Sequence, residues 1–165
     1  MTRPAEYENL IKAKALEAVV PTEGAIAQYL RNAQDYLASA RSLGERLPLQ
    51  TFTLAYEGYF QLVQAVLEHY QVRTKDAGRN LAIQRVSTDL KLGSAEFALV
   101  TRAHARRNAT SYQSPFPPVS QAEADALLGI LDKYIPAAVA LTRPAAPRSA
   151  PWSPPVPPAG GTPAA

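Results

Sequence analysis

The sequence has 165 residues and a formal net charge of +3, a length that fits one domain with a modest core. It contains no cysteine, which excludes disulfide bonds and cysteine-ligated zinc sites. The two histidines, His69 and His104, stand in neither a His-x-x-x-His nor a Glu-x-x-His pattern, so we predict no metal site and no cofactor. Residues 1–10 lack the apolar core of a signal peptide, and the longest apolar stretch, residues 135–141, is too short to cross a bilayer. We therefore expect a cytoplasmic protein without a membrane segment.

Basic side chains are concentrated in the middle of the chain. Residues 73–107 carry 8 basic and 3 acidic side chains, a net charge of +5, whereas residues 1–72 and residues 108–142 each have a net charge of −2. Such a stretch can attract phosphate groups, but a solvated helix face has the same composition. Charge alone leaves both interpretations open.

Apolar residues at helical spacing predict two helices in the first part of the chain. A short helix is expected from about residue 6 to residue 19, ending before Pro21. The next helix begins with Thr22 as its N-cap and ends near Gly44 and Pro48. Its apolar stripe follows steps of three and four: Ile26, Leu30, Ala33, Leu37 and Ala40.

A third helix, over about residues 50–70, is the most apolar segment, and we predict that it is central. It carries four large aromatic side chains: Tyr56, Tyr59, Phe60 and Tyr70. These side chains cannot all face one narrow seam between helices. We therefore expect some of them at a subunit interface, where amphipathic aromatic residues are favoured.

Three more helices are predicted in the second part of the chain. The fourth follows Gly78, and its apolar positions are Leu81, Ile83, Val86 and Leu90. The fifth starts at a Ser94 N-cap and runs to about Tyr112, before a proline cluster. The sixth starts at Ser120, which forms a capping box with Glu123. Its apolar positions are Ala124, Leu127, Leu128, Leu131, Tyr134 and Ile135.

Short loops between amphipathic helices predict an all-α fold, an up-and-down antiparallel bundle of five to six helices over residues 1–142. Residues 143–165 hold 8 of the 15 prolines, so we expect a disordered tail there. Pro-x-x-Pro spacings in this tail, such as Pro151 to Pro154, suit SH3-type or WW-type partners, although a solubilising tail without a partner has the same composition. Trp152, the only tryptophan, lies in the tail and either docks or is idle.

The fifth helix carries an apolar stripe that becomes polar. Phe97, Val100 and Thr101 begin the stripe, and at 100° per residue it continues through His104, Asn108, Ser111 and Tyr112. Burying such polar groups costs about 1–3 kcal/mol each unless they are hydrogen-bonded. We therefore expect them either to form bonds across a seam or to line a cleft.

The arginines of this helix divide into two groups. Arg102 and Arg106 are expected on the opposite, solvent-facing side, whereas Arg107 and Tyr112 flank Asn108. Arg107 and Tyr112 lie about 140° apart on an ideal α-helix. They meet at one ligand only if the helix loosens near Tyr112 or if a second subunit completes the site.

The element Arg107-Asn108-x-x-x-Tyr112, with the order of the helices around it, resembles the HEPN superfamily (higher eukaryotes and prokaryotes nucleotide-binding). The segments Tyr7-Glu8-Asn9-Leu10, Pro21-Thr22, residues 35–40 and Ala55-Tyr56 are similar to a bacterial HEPN subgroup. The resemblance covers residues 5–142. It implies an all-α homodimer that binds RNA or a nucleotide, or cleaves RNA without a metal. It also implies a nucleotidyltransferase or antitoxin partner from a toxin–antitoxin system.

The resemblance assigns candidate catalytic roles to Arg107, Asn108 and Tyr112, and phosphate binding to Arg107 and Asn108. His104, on the same helix face, is a third candidate for phosphate binding. HEPN ribonucleases have a histidine four to six positions after the arginine, where this chain has Tyr112. Histidine titrates near neutral pH, but tyrosine titrates near pH 10, which makes Tyr112 a poor general base. Arg107 can hold a phosphate through two hydrogen bonds. His104 offers an imidazole one turn before Asn108, although HEPN proteins do not keep their histidine there.

Plain structural roles remain open for the same side chains. Arg107 can pair with a glutamate, Tyr112 can be a core residue, and His104 and His69 can be hydrogen-bonded structural residues. Three functions follow. The first is a HEPN-like dimer that binds RNA or a nucleotide with weak or absent ribonuclease activity. The second is an active metal-independent endoribonuclease toxin, and the third is an interaction module that binds no nucleic acid.

Overall fold

The computed structural model describes residues 2–144. Within that range the chain forms six α-helices and one small sheet, which confirms the predicted all-α helical bundle. The α-helices are α1 (Ala5–Lys12), α2 (Ala25–Ser42), α3 (Pro48–His69), α4 (Arg79–Asp89), α5 (Ser94–Asn108) and α6 (Gln121–Thr142). None of the helices in this part of the chain is both long and apolar enough to span a membrane. The predicted disordered tail with Trp152 lies outside the described residues, apart from Arg143 and Pro144.

Helix α3 is the central helix, as expected, and packs against α2, α4, α5 and α6. Its aromatic side chains Tyr56, Tyr59 and Phe60 are buried inside the subunit, and Tyr70 stacks against the buried Tyr7 with ring centroids 4.6 Å apart. The expectation of a subunit interface is therefore wrong for Tyr56, Tyr59 and Phe60, and it stays a prediction for the half-buried Tyr70. It assumed one narrow seam, whereas α3 has neighbours around its whole circumference.

Gly58, in the middle of α3, is the point of closest approach to α2 and α6. A Cβ atom on Gly58 would lie 2.6 Å from Leu131 Cδ2 of α6 and 2.9 Å from Tyr36 Cβ of α2. Both separations are shorter than ordinary carbon contacts. The absence of a side chain at Gly58 therefore sets how closely the three long helices pack.

The first helix ends earlier than the sequence pattern predicts. Helix α1 stops at Lys12, and Lys14 adopts a positive φ of 60°, which an α-helix does not allow. The chain then forms strand β1 (Leu16–Ala18), which pairs antiparallel with β2 (Val72–Thr74). Glu17 and Arg73 stand opposite each other in this pairing and form an ion pair. The pairing strand lies far along the chain, so local periodicity does not reveal it.

The predicted start of the second helix is also wrong. Helix α2 begins at Ala25, after Gly24 with a φ of 78°, and Thr22 does not cap it. Instead, the backbone N–H of Thr22 donates to the carboxylate of Glu68 at the end of α3. A contact with α3 therefore replaces the local cap.

The capping box at the start of α6 is confirmed. The backbone N–H of Glu123 donates to Ser120 Oγ at 3.1 Å, and the N–H of Ser120 donates to Glu123 Oε2 at 2.9 Å. Helix α5 uses a related contact, because the N–H of Gly93 donates to Glu96 Oε1 at 3.0 Å. These bonds satisfy backbone donors that the first turn of a helix leaves unpaired.

Helix α4 is held at its C-terminal end by a partly buried polar contact with α1. Tyr7 Oη donates to Asp89 Oδ2 at 2.6 Å, and Arg85 Nη2 donates to Asp89 Oδ1 at 2.5 Å. Burial, followed by the bond to Asp89, raises the pKa of Tyr7 far above its ordinary range. Tyr7 is therefore neutral and remains a donor, and α4 is fixed in the orientation that places Arg79 at its other end.

Two glycine-to-alanine substitutions test the close approach at Gly58. Gly129→Ala lies in α6 with no atom within 4 Å of the new Cβ, so we expect a gain of up to about 1 kcal/mol from helix propensity. Gly58→Ala should lower the free energy of unfolding by about 1–3 kcal/mol, because overpacking outweighs that gain. Urea denaturation of both variants measures the difference. Equal stabilisation by the two substitutions would contradict the packing role of Gly58.

Candidate functional site

The C-terminal half of α5 packs against α3 and approaches the start of α4. This packing brings three residues to which the sequence assigned a possible role in a site together with three to which it assigned none. We call the group the Tyr56 cluster, and its members are Tyr56 and Glu57 of α3, Arg79 of α4, and His104, Arg107 and Asn108 of α5.

Arg107 sets the orientation of the Asn108 amide. Arg107 Nη1 donates to Asn108 Oδ1 at 3.2 Å, and Arg107 Nη2 donates to Glu57 Oε1 at 3.2 Å. A guanidinium group has donors only, so the amide oxygen of Asn108 must face Arg107. The amide nitrogen then faces His104, with Nδ2 lying 3.3 Å from His104 Nε2.

The same argument fixes the tautomer of His104. Because Asn108 Nδ2 is a donor, His104 Nε2 accepts, and the ring proton is on Nδ1. His104 Nδ1 lies 2.7 Å from Tyr56 Oη and donates to it. Arg79 Nη1 donates to the same oxygen at 3.4 Å. Both imidazole nitrogens are therefore engaged, which is the structural role that the sequence left open for His104.

Burial lowers the pKa of His104, and the positive charges of Arg79 and Arg107 lower it further, against an opposing effect of Glu57. The imidazole is therefore uncharged at neutral pH. Protonation would put a proton on Nε2, opposite the amide N–H of Asn108. Turning that amide would bring its nitrogen against Arg107, so the whole chain of hydrogen bonds favours neutral His104.

Tyr112 meets Arg107 because the helix changes its winding. Helix α5 ends at Asn108, and Ala109–Gln113 form a π-helical turn in which the N–H of Ser114 donates to Ala109 O at 2.9 Å. The Tyr112 ring centroid lies 5.9 Å from Arg107 Cζ. Loosening of the helix was one of the two conditions stated from the sequence, and it is met within one subunit.

The predicted burial of the last residues of the stripe is wrong. Tyr112 is 77% exposed and Ser111 is exposed, because the π-helical turn carries them away from the bundle. Tyr112 is therefore not a core residue. The rest of the polar stripe, from Thr101 through His104 to Asn108, is half-buried.

Arg106 also departs from its predicted place. It was expected on the solvent side with Arg102, which is exposed. Arg106 is instead half-buried and donates to the backbone oxygens of Pro117 at 2.9 Å and Pro118 at 3.1 Å, and to Glu123 Oε1 at 3.1 Å. It holds the proline-rich loop against the start of α6, a contact that only the tertiary fold creates.

Arg79 is the main site residue that sequence reasoning missed. Its guanidinium lies 4.1 Å from the Phe60 ring centroid, and no carboxylate of residues 2–144 pairs with it within 4.0 Å. The basic stretch of residues 73–107 contains Arg79, but nothing local to that stretch relates it to α5. Tyr56 belonged to the segment compared with the HEPN subgroup, without an assigned role.

The cluster is suited to binding an anion. Arg79 and Arg107 supply two positive charges, and the one carboxylate bonded to the cluster in the described part of the chain is Glu57. Guanidinium groups match phosphate oxygens through paired donors. The described residues contain no group of three or more histidine or acidic side chains that could hold a metal ion.

The lowered pKa of His104 predicts how stability responds to pH. Below the ordinary histidine pKa of about 6.5, the unfolded chain binds more protons than the folded one, so the free energy of unfolding should fall as the pH drops through 6.5. Proton NMR should show His104 titrating below 6.5, and His104→Gln should reduce the pH dependence of stability. The pKa of His69, half-buried at the end of α3 and outside the cluster, is also lowered by burial, so His69→Gln should remove only its own share of the pH dependence and leave the titration of His104 unchanged. Titration of His104 at or above 6.5 would contradict the assigned hydrogen bonds.

No protein-family model matches this chain, and no curated protein sequence matches it significantly. The candidate site therefore stands on the residues and contacts described above. The HEPN resemblance remains a prediction from the sequence.

Proposed function

We propose that the chain is a HEPN-like RNA-binding protein in which the Tyr56 cluster holds a phosphate group. One observation carries the proposal: two arginines from different helices meet at Tyr56, and a single carboxylate opposes them. Arg79 Nη1 lies 3.4 Å from the Tyr56 oxygen, and Arg107 Cζ lies 5.9 Å from the Tyr56 ring centroid. Arg79, His104 and Arg107 of the cluster also belong to residues 73–107, the stretch with a net charge of +5.

A phosphate can compete with Glu57 for Arg107. Both side chains of the Glu57–Arg107 pair are 24% exposed, and their one contact measures 3.2 Å. Partly exposed ion pairs with a single contact stabilise a protein little. A phosphate offers more acceptor oxygens than Glu57 and keeps Arg107 bonded to Asn108, so exchange of partner costs little.

Weak or absent ribonuclease activity follows from the state of His104. Transfer of a proton from the ribose 2′-hydroxyl needs an accessible base that titrates near neutral pH. His104 has both nitrogens engaged within the subunit, and the position of the HEPN histidine is occupied by Tyr112. Tyr112, exposed beside Arg107, instead offers an aromatic face on which an RNA base can stack.

RNA binding can be tested by fluorescence anisotropy with a labelled single-stranded RNA. Arg107→Ala and Arg79→Ala should each weaken binding about tenfold or more, because hydrogen bonds to charged groups contribute about 1.5–3 kcal/mol. Each substitution should also reduce the slope of log affinity against log salt by about 0.7 per lost phosphate contact. Arg31→Ala is the matched control, since Arg31 is exposed on α2 and donates only to Gln28. Equal losses for all three variants would indicate general charge attraction.

The same preparations, incubated with RNA in EDTA, separate binding from cleavage. We expect intact RNA with every form of the protein. Cleavage that Arg107→Ala abolishes would instead favour the metal-independent endoribonuclease toxin. Failure of any form to bind or cleave RNA would remove both nucleic-acid functions and leave an interaction module.

We further propose that the chain forms a homodimer through a surface beside the site. Three of the six exposed large apolar side chains of the described residues lie in two neighbouring segments and are not assigned to RNA binding: Leu47, Leu49 and Phe116. Leu47 and Leu49 line a groove with Pro115, Pro118 and Thr110 of the π-helical turn. Apolar surface concentrated in this way favours association. By resemblance, a nucleotidyltransferase or antitoxin is the expected further partner.

Light scattering tests the dimer. The unmodified protein should give twice the 17.8 kDa chain mass at micromolar concentration. Leu49→Glu should shift the mass to that of a monomer, because a charge in an apolar interface is costly to bury. Leu81→Glu is the control: Leu81 is 42% exposed on α4, compared with 40% for Leu49, and it lies outside this groove. A strict monomer for the unmodified chain would overturn the proposal.

A further inference from the structure

An apolar groove lies between the N-terminal part of α2 and the C-terminal end of α6, apart from the Tyr56 cluster. Its walls are Ile26, Ala27 and Leu30 on one side and Val139 and Thr142 on the other. Its volume is about 550 Å³. Pockets that hold a bulky organic group typically have volumes of roughly 300–1,000 Å³. The groove can therefore take a large side chain.

The chain itself leads out of this groove. Arg143 and Pro144 form part of its rim, and Pro144 is the last residue described. Trp152 follows eight residues later. An extended chain covers about 3.3–3.6 Å per residue, so eight residues reach well beyond the groove and allow the chain to turn back to it.

We propose that the indole of Trp152 packs into this groove of its own chain. Tryptophan buries about 150–250 Å² of surface, more than any other side chain of the tail can offer. The walls of the groove are aliphatic, whereas grooves that recognise proline-rich segments are lined by aromatic side chains. The anchor is therefore Trp152, and the prolines around it act as stiff spacers.

Charge and backbone stiffness support the same occupant. Glu23 is exposed at the rim of the groove, and Arg148 lies between Pro144 and Trp152, within reach of that carboxylate. Pro147 and Pro151 restrict the connecting segment, which lowers the entropy lost when it is ordered.

The size of the groove argues against a second copy of the chain as the occupant. Ten residues line it. Stable protein interfaces usually engage about 20–30 residues on each side. The groove is thus too small for a subunit interface but suits a single anchoring side chain.

Tryptophan fluorescence tests the proposal on the full chain, because Trp152 is the only tryptophan. A synthetic peptide of residues 143–165 supplies the reference for an exposed indole. We expect the protein to emit at shorter wavelength than the peptide and to be quenched less by acrylamide. Ala27→Glu should shift both properties to the peptide values, since Ala27 is exposed in the groove and its replacement leaves the core unchanged.

Ala38→Glu is the matched control, an exposed alanine on the same helix outside the groove, and should leave the emission unchanged. Circular dichroism should show equal helix content for both variants. Peptide-like emission from the unmodified protein would overturn the proposal. So would an equal shift in both variants, or an emission that returns to the peptide value on dilution, which would assign the indole to a second copy.

Discussion

The packing of α3 against helices on all sides is the constraint on which the other features depend. Gly58 lets α2 and α6 approach α3 more closely than a side chain would allow. With α2 and α6 covering one side of α3, the opposite side is left to α4 and α5. Tyr56 points toward that second side and becomes the meeting point of residues that are distant in sequence. The site is therefore a consequence of how the central helix is enclosed.

The hydrogen bonds of the Tyr56 cluster run in one direction, from Arg107 through Asn108 and His104 to Tyr56. Each donor fixes the orientation of the next group, and the arginine at the start cannot reverse its role. Such connected networks hold their members in one geometry. The guanidinium of Arg107 is thus held by this network, and that of Arg79 by the Tyr56 hydroxyl and the Phe60 ring.

The long helices and the capping box at Ser120 could be predicted because their signals are local: apolar spacing, prolines and a cap three residues from its partner. The strand pair could not, since β1 meets its partner only through the fold. Arg107 and Asn108 were found as a motif within one helix. Arg79 was missed because its relation to them exists only across helices.

Arg106 shows the limit of reasoning from a helical wheel. The wheel gives a direction around the axis but does not show that a loop returns over that face. Here the residues before α6 fold back over α5 and supply carbonyl oxygens to the guanidinium. The prediction of a subunit interface for Tyr56, Tyr59 and Phe60 was wrong for a related reason: a helical wheel does not show how many neighbouring helices surround α3.

The π-helical turn at Ala109–Gln113 couples motif spacing to helical pitch. An α-helix brings residues four positions apart onto one face, whereas a turn with hydrogen bonds five residues long does so for residues five apart. Arg107 and Tyr112 are five residues apart, and Tyr112 lies within the π-helical turn. Adding or removing one residue in this turn could therefore leave the two side chains adjacent, provided that the pitch changes with it. The number of residues between Arg107 and Tyr112 is thus tied to the local winding of the helix rather than to the α-helical repeat.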